Sequence, residues 1–142
     1  MDQLIEFAGN HLLLVGGFVV AASLLVQDMV AGGVGKGSID PKDATDMINH
    51  QDAVVIDVRS GADFTAGHII NAVNIPMTKF AGQVDKLKKH QGKPIIISCR
   101  SGAQSSSACR MLRKSGFEQV YNLRGGMLSW QNANFPVSRK RK

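Results

Sequence analysis

Cys99 stands where an apolar, β-branched run meets a short polar loop. The stretch reads Pro94-Ile95-Ile96-Ile97-Ser98-Cys99-Arg100-Ser101-Gly102-Ala103-Gln104-Ser105-Ser106. The isoleucines predict a buried strand, and the residues after the loop predict a helix. In open α/β sheets ligands gather beyond the carboxyl ends of the strands, so Cys99 is placed to meet one. Gly102 lets the loop Arg100 to Ser105 curl with its amides inward. Successive inward N–H groups at a helix N-terminus form a cradle for an anion. A cysteine in that cradle favours its thiolate. Such a thiolate can attack an electrophilic sulfur or phosphorus centre and hold a charged adduct. The competing reading is a buried apolar thiol that merely closes a core strand. Cys109, in the helix beside Met111, is read first as packing and second as a redox partner.

Other chemistries have less support. Two cysteines ten residues apart are too few for a secreted disulfide framework and suit a reduced, cytosol-facing domain. Cys99, Cys109, His11, His50, His68 and His90 show no paired ligand spacing, so neither a metal nor another cofactor is expected. The formal charge is +6 over 142 residues, and Arg139-Lys140-Arg141-Lys142 supply +4 of it. What remains is a nearly balanced body without a basic, aromatic-laced face, which argues against nucleic acid. The tail Ser138–Lys142 reads either as a solvated end or as a contact with anionic lipid, worth about 1 kcal/mol per basic residue.

The elements that must position Cys99 alternate along the chain. Asp40-Pro41 starts a helix with Ala44, Met47 and Ile48 on one face. Val54–Val58 is a strand, and Ser60 to Asp63 opens a short helix with Phe64 that ends at Gly67. A second short strand covers Ala72–Ile75. Thr78 is expected to cap a third helix carrying Phe80, Val84 and Leu87. The helix after Cys99 turns Ala108, Met111 and Leu112 inward and stops at Gly116. Val120–Leu123 is another strand, and Arg124-Gly125-Gly126 turns into a last helix with Met127, Leu128 and Trp130. This pattern predicts an α/β domain with a mainly parallel central sheet and helices on both faces, a three-layer arrangement.

Ahead of it, Phe7 to Val26 is apolar all round apart from Asn10, His11 and Ser23. At about 1.5 Å per residue, one helix of this length crosses a hydrocarbon core of about 30 Å. Its flanks carry Asp2 and Glu6 before it and Lys36 and Lys42 after it, which does not suit a cleaved signal. The same asymmetry predicts a single pass with the N-terminus outside and the domain in the cytoplasm, at the cell inner membrane. Gly17 and Ala21 form one small-xxx-small pair for helix association. The expected organisation is an anchor over residues 1–30, a glycine-rich linker over 31–38, a domain over 39–137 and a basic tail over 138–142. The linker does not match a phosphate-binding loop, since the spacing to Lys36 is wrong and no strand precedes it.

Several of these stretches together resemble the rhodanese homology domain. They are Asp57-Val58-Arg59; Phe64; Gly67-His68-Ile69 with Ala72; Asn74-Ile75-Pro76; Cys99-Arg100-Ser101-Gly102 ending at Ser105; and Leu123-Arg124-Gly125-Gly126 with Trp130. The likeness runs from about Asp40 to Val137. With the anchor, the layout is similar to the membrane-tethered single-domain rhodaneses of Gram-negative bacteria. The resemblance implies sulfurtransferase chemistry. Cys99 would take a sulfane sulfur from thiosulfate or a persulfide and hold it within the loop Arg100, Ser101, Gly102, Ala103, Gln104 and Ser105. It would then pass the sulfur to cyanide or another thiol. The resemblance gives Asp57, Arg59 and His68 structural parts. Many members have arginine where this chain has Gln104, which removes charge useful for thiosulfate and leaves Arg100 and Arg124 to supply it. Related phosphatases need an arginine six residues after the cysteine to grip phosphate; here that residue is Ser105. The alternative to an enzyme is a membrane-anchored binding or adaptor module that recruits membrane-protein partners with little or no catalysis.

Overall fold

The computed structural model of the chain describes residues 1–30 and 37–140. The glycine-rich linker as far as residue 36, and Arg141 and Lys142 of the tail, lie outside the described residues. Two compact units result, Met1–Lys36 and Gly37–Lys142.

In the first unit, α1 (Asp2–Asn10) and α2 (Leu12–Val30) meet at a 95° bend. One straight helix over residues 7–26 was the expectation, so Phe7 to Asn10 fall on the other side of a break. Gly9, Asn10 and His11 are poor helix formers in sequence, and His11 leaves helical geometry at φ −128°, ψ 45°. Leu13, Phe18 and Leu25 of α2 are each more than two-thirds exposed. This helix buries no core, and being apolar all round it is the kind that lipid or protein must cover. Among the described residues no single helix is long and apolar enough to cross a membrane. The bent pair Asp2–Asn10 and Leu12–Gln27 passes together, by length and composition only.

The second unit is built on five parallel strands in the order β1-β5-β4-β2-β3: β1 Ser38–Ile39, β2 Val54–Asp57, β3 Val73–Asn74, β4 Ile95–Ser98 and β5 Val120–Leu123. Ser38, counted with the linker in sequence, pairs with Asn122. The helices are α3 Pro41–His50, α4 Gly61–Ala66, α5 Met77–Gln83, α6 Ala103–Lys114 and α7 Gly126–Asn132, with a 3-10 turn over Val84–His90.

Side chains alternate across a strand. Ile95 and Ile97 therefore meet Phe80, Leu87, Ala108 and Leu112 of the α5 and α6 layer. Ile96 meets Ala44, Met47, Phe64, Met127 and Trp130 of the α3, α4 and α7 layer. All three isoleucines are essentially unexposed, which explains a continuous apolar run where a half-solvated strand would alternate. Two local expectations change. Pro76, not Thr78, stands at the start of α5, because Pro76 fixes the entry geometry one residue ahead of the helix. Leu128 points outward and is 47% exposed, since Met127 and Trp130 already fill the inward face of α7. Ser138, assigned to the tail, exchanges two backbone hydrogen bonds with His68.

The sheet order places a reversal between β2 and β4. From β2 the chain proceeds outward to β3 with α4 on one face. From β4 it proceeds the other way to β5 with α6 on the opposite face. A crevice opens at the carboxyl ends where two such neighbours part.

Phe80→Ala empties a fully buried position and is expected to cost about 3–5 kcal/mol of unfolding free energy. Leu128→Ala is expected to stay within about 0.5 kcal/mol of the parent. Urea titrations followed by the fluorescence of Trp130, the only tryptophan, would measure both.

Candidate active site

Cys99 follows β4 at that reversal and shares the parity of Ile95 and Ile97, so its sulfur faces the first turn of α6. There the Gly102 amide donates to Cys99 Sγ at 3.0 Å, and the Ser105 hydroxyl lies 3.2 Å from the same sulfur. The loop curls because Gly102 sits at φ +95°, a conformation that side chains with a Cβ rarely adopt.

The inward direction of these amides is imposed from behind. Met127 N–H donates to the Cys99 carbonyl at 2.8 Å and Leu128 N–H to the Arg100 carbonyl at 3.1 Å. Both amides belong to the first turn of α7, where no helical carbonyl is available to them. The approach requires Gly126: a Cβ there would collide with the Cys99 carbonyl oxygen and lie 2.7 Å from Arg100 C and O. With the carbonyls captured outside, the amides that follow turn toward the sulfur.

The electrostatic outcome is a contest. Burial is the largest single influence on Cys99 and pushes its pKa up. The Ser105 hydroxyl and the amides of Ser105, Gly102 and Ser101 push it down, and together they prevail, holding the thiol below its usual range. Cys109 lies in the same apolar layer without that cradle. Burial pushes it up to about 12; Arg113 opposes the rise and the Cys99 charge adds to it.

The other expected residues separate into three groups. Ser101, Gly102 and Ser105 meet the sulfur, while the side chains of Arg100, Ala103 and Gln104 are exposed on the rim. Arg124 is turned away: its guanidinium donates to Asp40 Oδ1 at 3.0 Å and to the Ser38 carbonyl at 3.4 Å. Asp40 thus stands at the start of α3 without capping it by its side chain. Asp57 and Arg59 form a brace at the end of β2. The wholly buried carboxylate accepts from Arg59 Nη2 at 2.7 Å, from Nε at 3.0 and 3.1 Å and from the Arg59 amide at 3.0 Å. Arg59 Nη2 also reaches the Gly67 carbonyl at 2.7 Å, tying β2 to the end of α4. His68 is buried, stacked on Phe64 at 3.6 Å between ring centroids, with Nδ1 2.6 Å from the Phe64 carbonyl.

Sequence reading missed Asn122 and Ser106. Asn122, on β5, donates from Nδ2 to the Gly102 carbonyl at 3.0 Å and to Ser106 Oγ at 2.9 Å; its Oδ1 accepts from the Ser105 hydroxyl. Only the polar side chain inside an otherwise largely apolar strand, just ahead of Leu123-Arg124-Gly125-Gly126, hinted at a part in the site. No cluster of three or more metal-ligating side chains occurs among the described residues.

A five-stranded parallel sheet with a cysteine in an amide-lined loop at its switch point defines an α/β domain built around one cradled thiol. The match to the rhodanese-like domain model covers residues 40–133, from the start of α3 past the end of α7, and the chain belongs to that family. It is 34% identical to the uncharacterized protein YibN of Escherichia coli K12 over 141 residues, covering 98% of this chain and 99% of that one. A protein of Allochromatium vinosum named sulfurtransferase is 33% identical over 87 residues, covering 61% of this chain and 79% of its own. Among solved structures, the rhodanese-related protein of Thermoplasma volcanium superposes with a TM-score of 0.63 at 28% identity, over 72% of this chain and 98% of that one.

The thiolate absorbance of Cys99, taken as the difference between parent and Cys99→Ser, is expected to rise at a lower pH than for a free cysteine. A lowered pKa puts the ionised form at lower pH, so the sign is fixed. Ser105→Ala, which removes one stabilising hydrogen bond, moves the midpoint up by on the order of one pH unit.

Proposed function

We propose that this chain is a rhodanese-type sulfurtransferase or persulfide carrier that works through Cys99. The observation that carries the reading is the cradled sulfur, with the Gly102 amide at 3.0 Å and the Ser105 hydroxyl at 3.2 Å. The Cys99 thiolate attacks the outer sulfur of thiosulfate or of a persulfide. A new S–S bond forms, the old one breaks, and sulfite or a thiolate leaves with the electron pair. The negative charge now rests on the terminal sulfur of Cys99–S–S⁻, which the loop amides face and stabilise as they did the thiolate. A thiolate acceptor, or cyanide, then attacks that terminal sulfur and Cys99 leaves as the thiolate. No separate general base is needed once Cys99 is ionised, and the cradle lowers the pH at which that happens.

Substrate preference follows from the rim. With Gln104 exposed and Arg124 committed to Asp40, Arg100 is the loop's own cation, a weak grip for a dianion. This supports modest use of thiosulfate and better use of singly charged persulfide donors. Ser105 is buried where a phosphatase would carry its phosphate-gripping arginine, which supports sulfur over phosphoryl transfer. The protein of Allochromatium vinosum named sulfurtransferase points the same way.

The apolar helix pair supports a tether that holds the domain at the inner membrane. No Lys or Arg precedes Phe7, whereas Lys36, Lys42 and further basic residues follow Val26, which favours an outside N-terminus and a cytoplasmic domain, within reach of membrane-protein partners.

Thiosulfate and cyanide are expected to give modest thiocyanate formation with the parent and none with Cys99→Ser. Mass spectrometry of the parent after a persulfide donor is expected to find one added sulfur on Cys99. Equal rates in parent and variant would overturn the enzymatic reading and favour the adaptor module. For topology, protease added outside intact spheroplasts is expected to leave the domain whole; its rapid digestion would reverse the orientation.

A further inference from the structure

The Ser105 hydroxyl has one proton and two acceptors. Asn122 Oδ1 is one of them, and Cys99 Sγ, 3.2 Å away, is the other whenever it is ionised. The orientation of the Asn122 amide is set by its neighbours. Its Nδ2 lies 3.0 Å from the Gly102 carbonyl oxygen and 2.9 Å from Ser106 Oγ, and Ser106 Oγ itself donates to that carbonyl at 3.0 Å. Turning the amide over would press two carbonyl oxygens together with no proton between them. Oδ1 therefore faces Ser105.

Two protonation states of Cys99 fare differently in this arrangement. With the neutral thiol the chain is complete: S–H donates to Ser105 Oγ, and Ser105 O–H donates to Asn122 Oδ1. With the thiolate one acceptor goes short. If Ser105 turns its proton to sulfur, Asn122 Oδ1 faces a bare oxygen; if it does not, the thiolate faces one. Partly buried acceptors left in that way are costly. We infer that Asn122 is a positioning residue that competes with the Cys99 thiolate for the single Ser105 proton and so limits how readily Cys99 ionises. The consequence for transfer rests on the persulfide reading above. Once Cys99 carries a second sulfur, the charge moves to the terminal atom and Ser105 can return its proton to Asn122. Asn122 thus disfavours the free thiolate against both the resting thiol and the loaded persulfide.

The surroundings leave this network as the local control. On α6, Cys109 is the titratable neighbour and stays neutral, with its pKa pushed up to about 12. Arg100 of the loop and Lys79 of α5 are exposed, Arg124 beyond β5 is bound to Asp40, and Asp57 of β2 is bound to Arg59. None of these charged groups is among the influences that move Cys99.

The test uses the full chain in detergent and reads the Cys99 thiolate absorbance against pH, by difference from Cys99→Ser. Asn122→Ala is expected to lower the midpoint by about one pH unit, because Ser105 then serves the thiolate alone. In a Ser105→Ala background the same replacement is expected to leave the midpoint where Ser105→Ala put it. A purely structural asparagine gives the opposite sign, since a slackened loop loses its amide contacts and the midpoint rises. A rise, no change, or an equal fall without Ser105 would overturn the inference. Asn122→Ser, whose hydroxyl stops short of Ser105, serves if the alanine variant lacks the native Trp130 emission. Sulfur uptake on Cys99 is measured in parallel. A parent that ionises as expected but takes up no sulfur would refute the persulfide reading alone, while normal uptake with an unmoved midpoint would refute the asparagine role alone.

Discussion

Two hydrogen bonds hold the site in shape: Met127 N–H to the Cys99 carbonyl and Leu128 N–H to the Arg100 carbonyl. A helix start has spare amides, and a loop leaving a strand has spare carbonyls. Placing α7 against the loop satisfies both and leaves the following amides free to face inward. This contact works only at backbone range, so Gly126 is bound to the cysteine loop although it lies in a different strand–helix turn. The order of strands makes the meeting possible, because β5 is the neighbour of β4 and delivers α7 to the same end of the sheet.

The two cysteines show what the cradle contributes. Both are buried in one apolar layer between the sheet and α6, and burial alone pushes each toward the neutral thiol. Cys109 is opposed chiefly by the Arg113 charge, with a smaller backbone hydrogen bond, and its pKa stays pushed up to about 12. Cys99 has three amides and a hydroxyl, and the balance tips the other way. Hydrogen bonds aimed at one atom outweigh its burial, whereas a single cation acting on Cys109 does not. The site is therefore made by direction of dipoles rather than by exposure of a thiol.

Around this centre the brace of Asp57 and Arg59 performs a different task. It holds β2, the neighbour of β4, to the end of α4 through the Gly67 carbonyl, and its carboxylate is fully buried but paired on both oxygens. Such a pair fixes where the chain goes more than it adds stability. His68 belongs to the same corner, stacked on Phe64 and joined by its backbone to Ser138, so the last described turn of chain closes over α4.

Much of this was legible in order along the chain. The isoleucine run, the Asp40-Pro41 and Ser60 helix starts and the strand–helix alternation set an α/β domain, because each depends on neighbours within a few residues. Cys99 with Gly102 and Ser105 was legible for the same reason, since a strand end, a glycine and a helix start are local features. The bend at His11 was not, because hydropathy over twenty residues measures composition and is blind to one residue leaving helical geometry. Arg124 was misplaced for a related reason: its charge fits the loop, but Asp40 from a distant helix start claims it. Asn122 and Gly126 entered the site only through folding. Their parts depend on β5 lying beside β4, a juxtaposition across some twenty residues that spacing cannot express and parallel pairing decides.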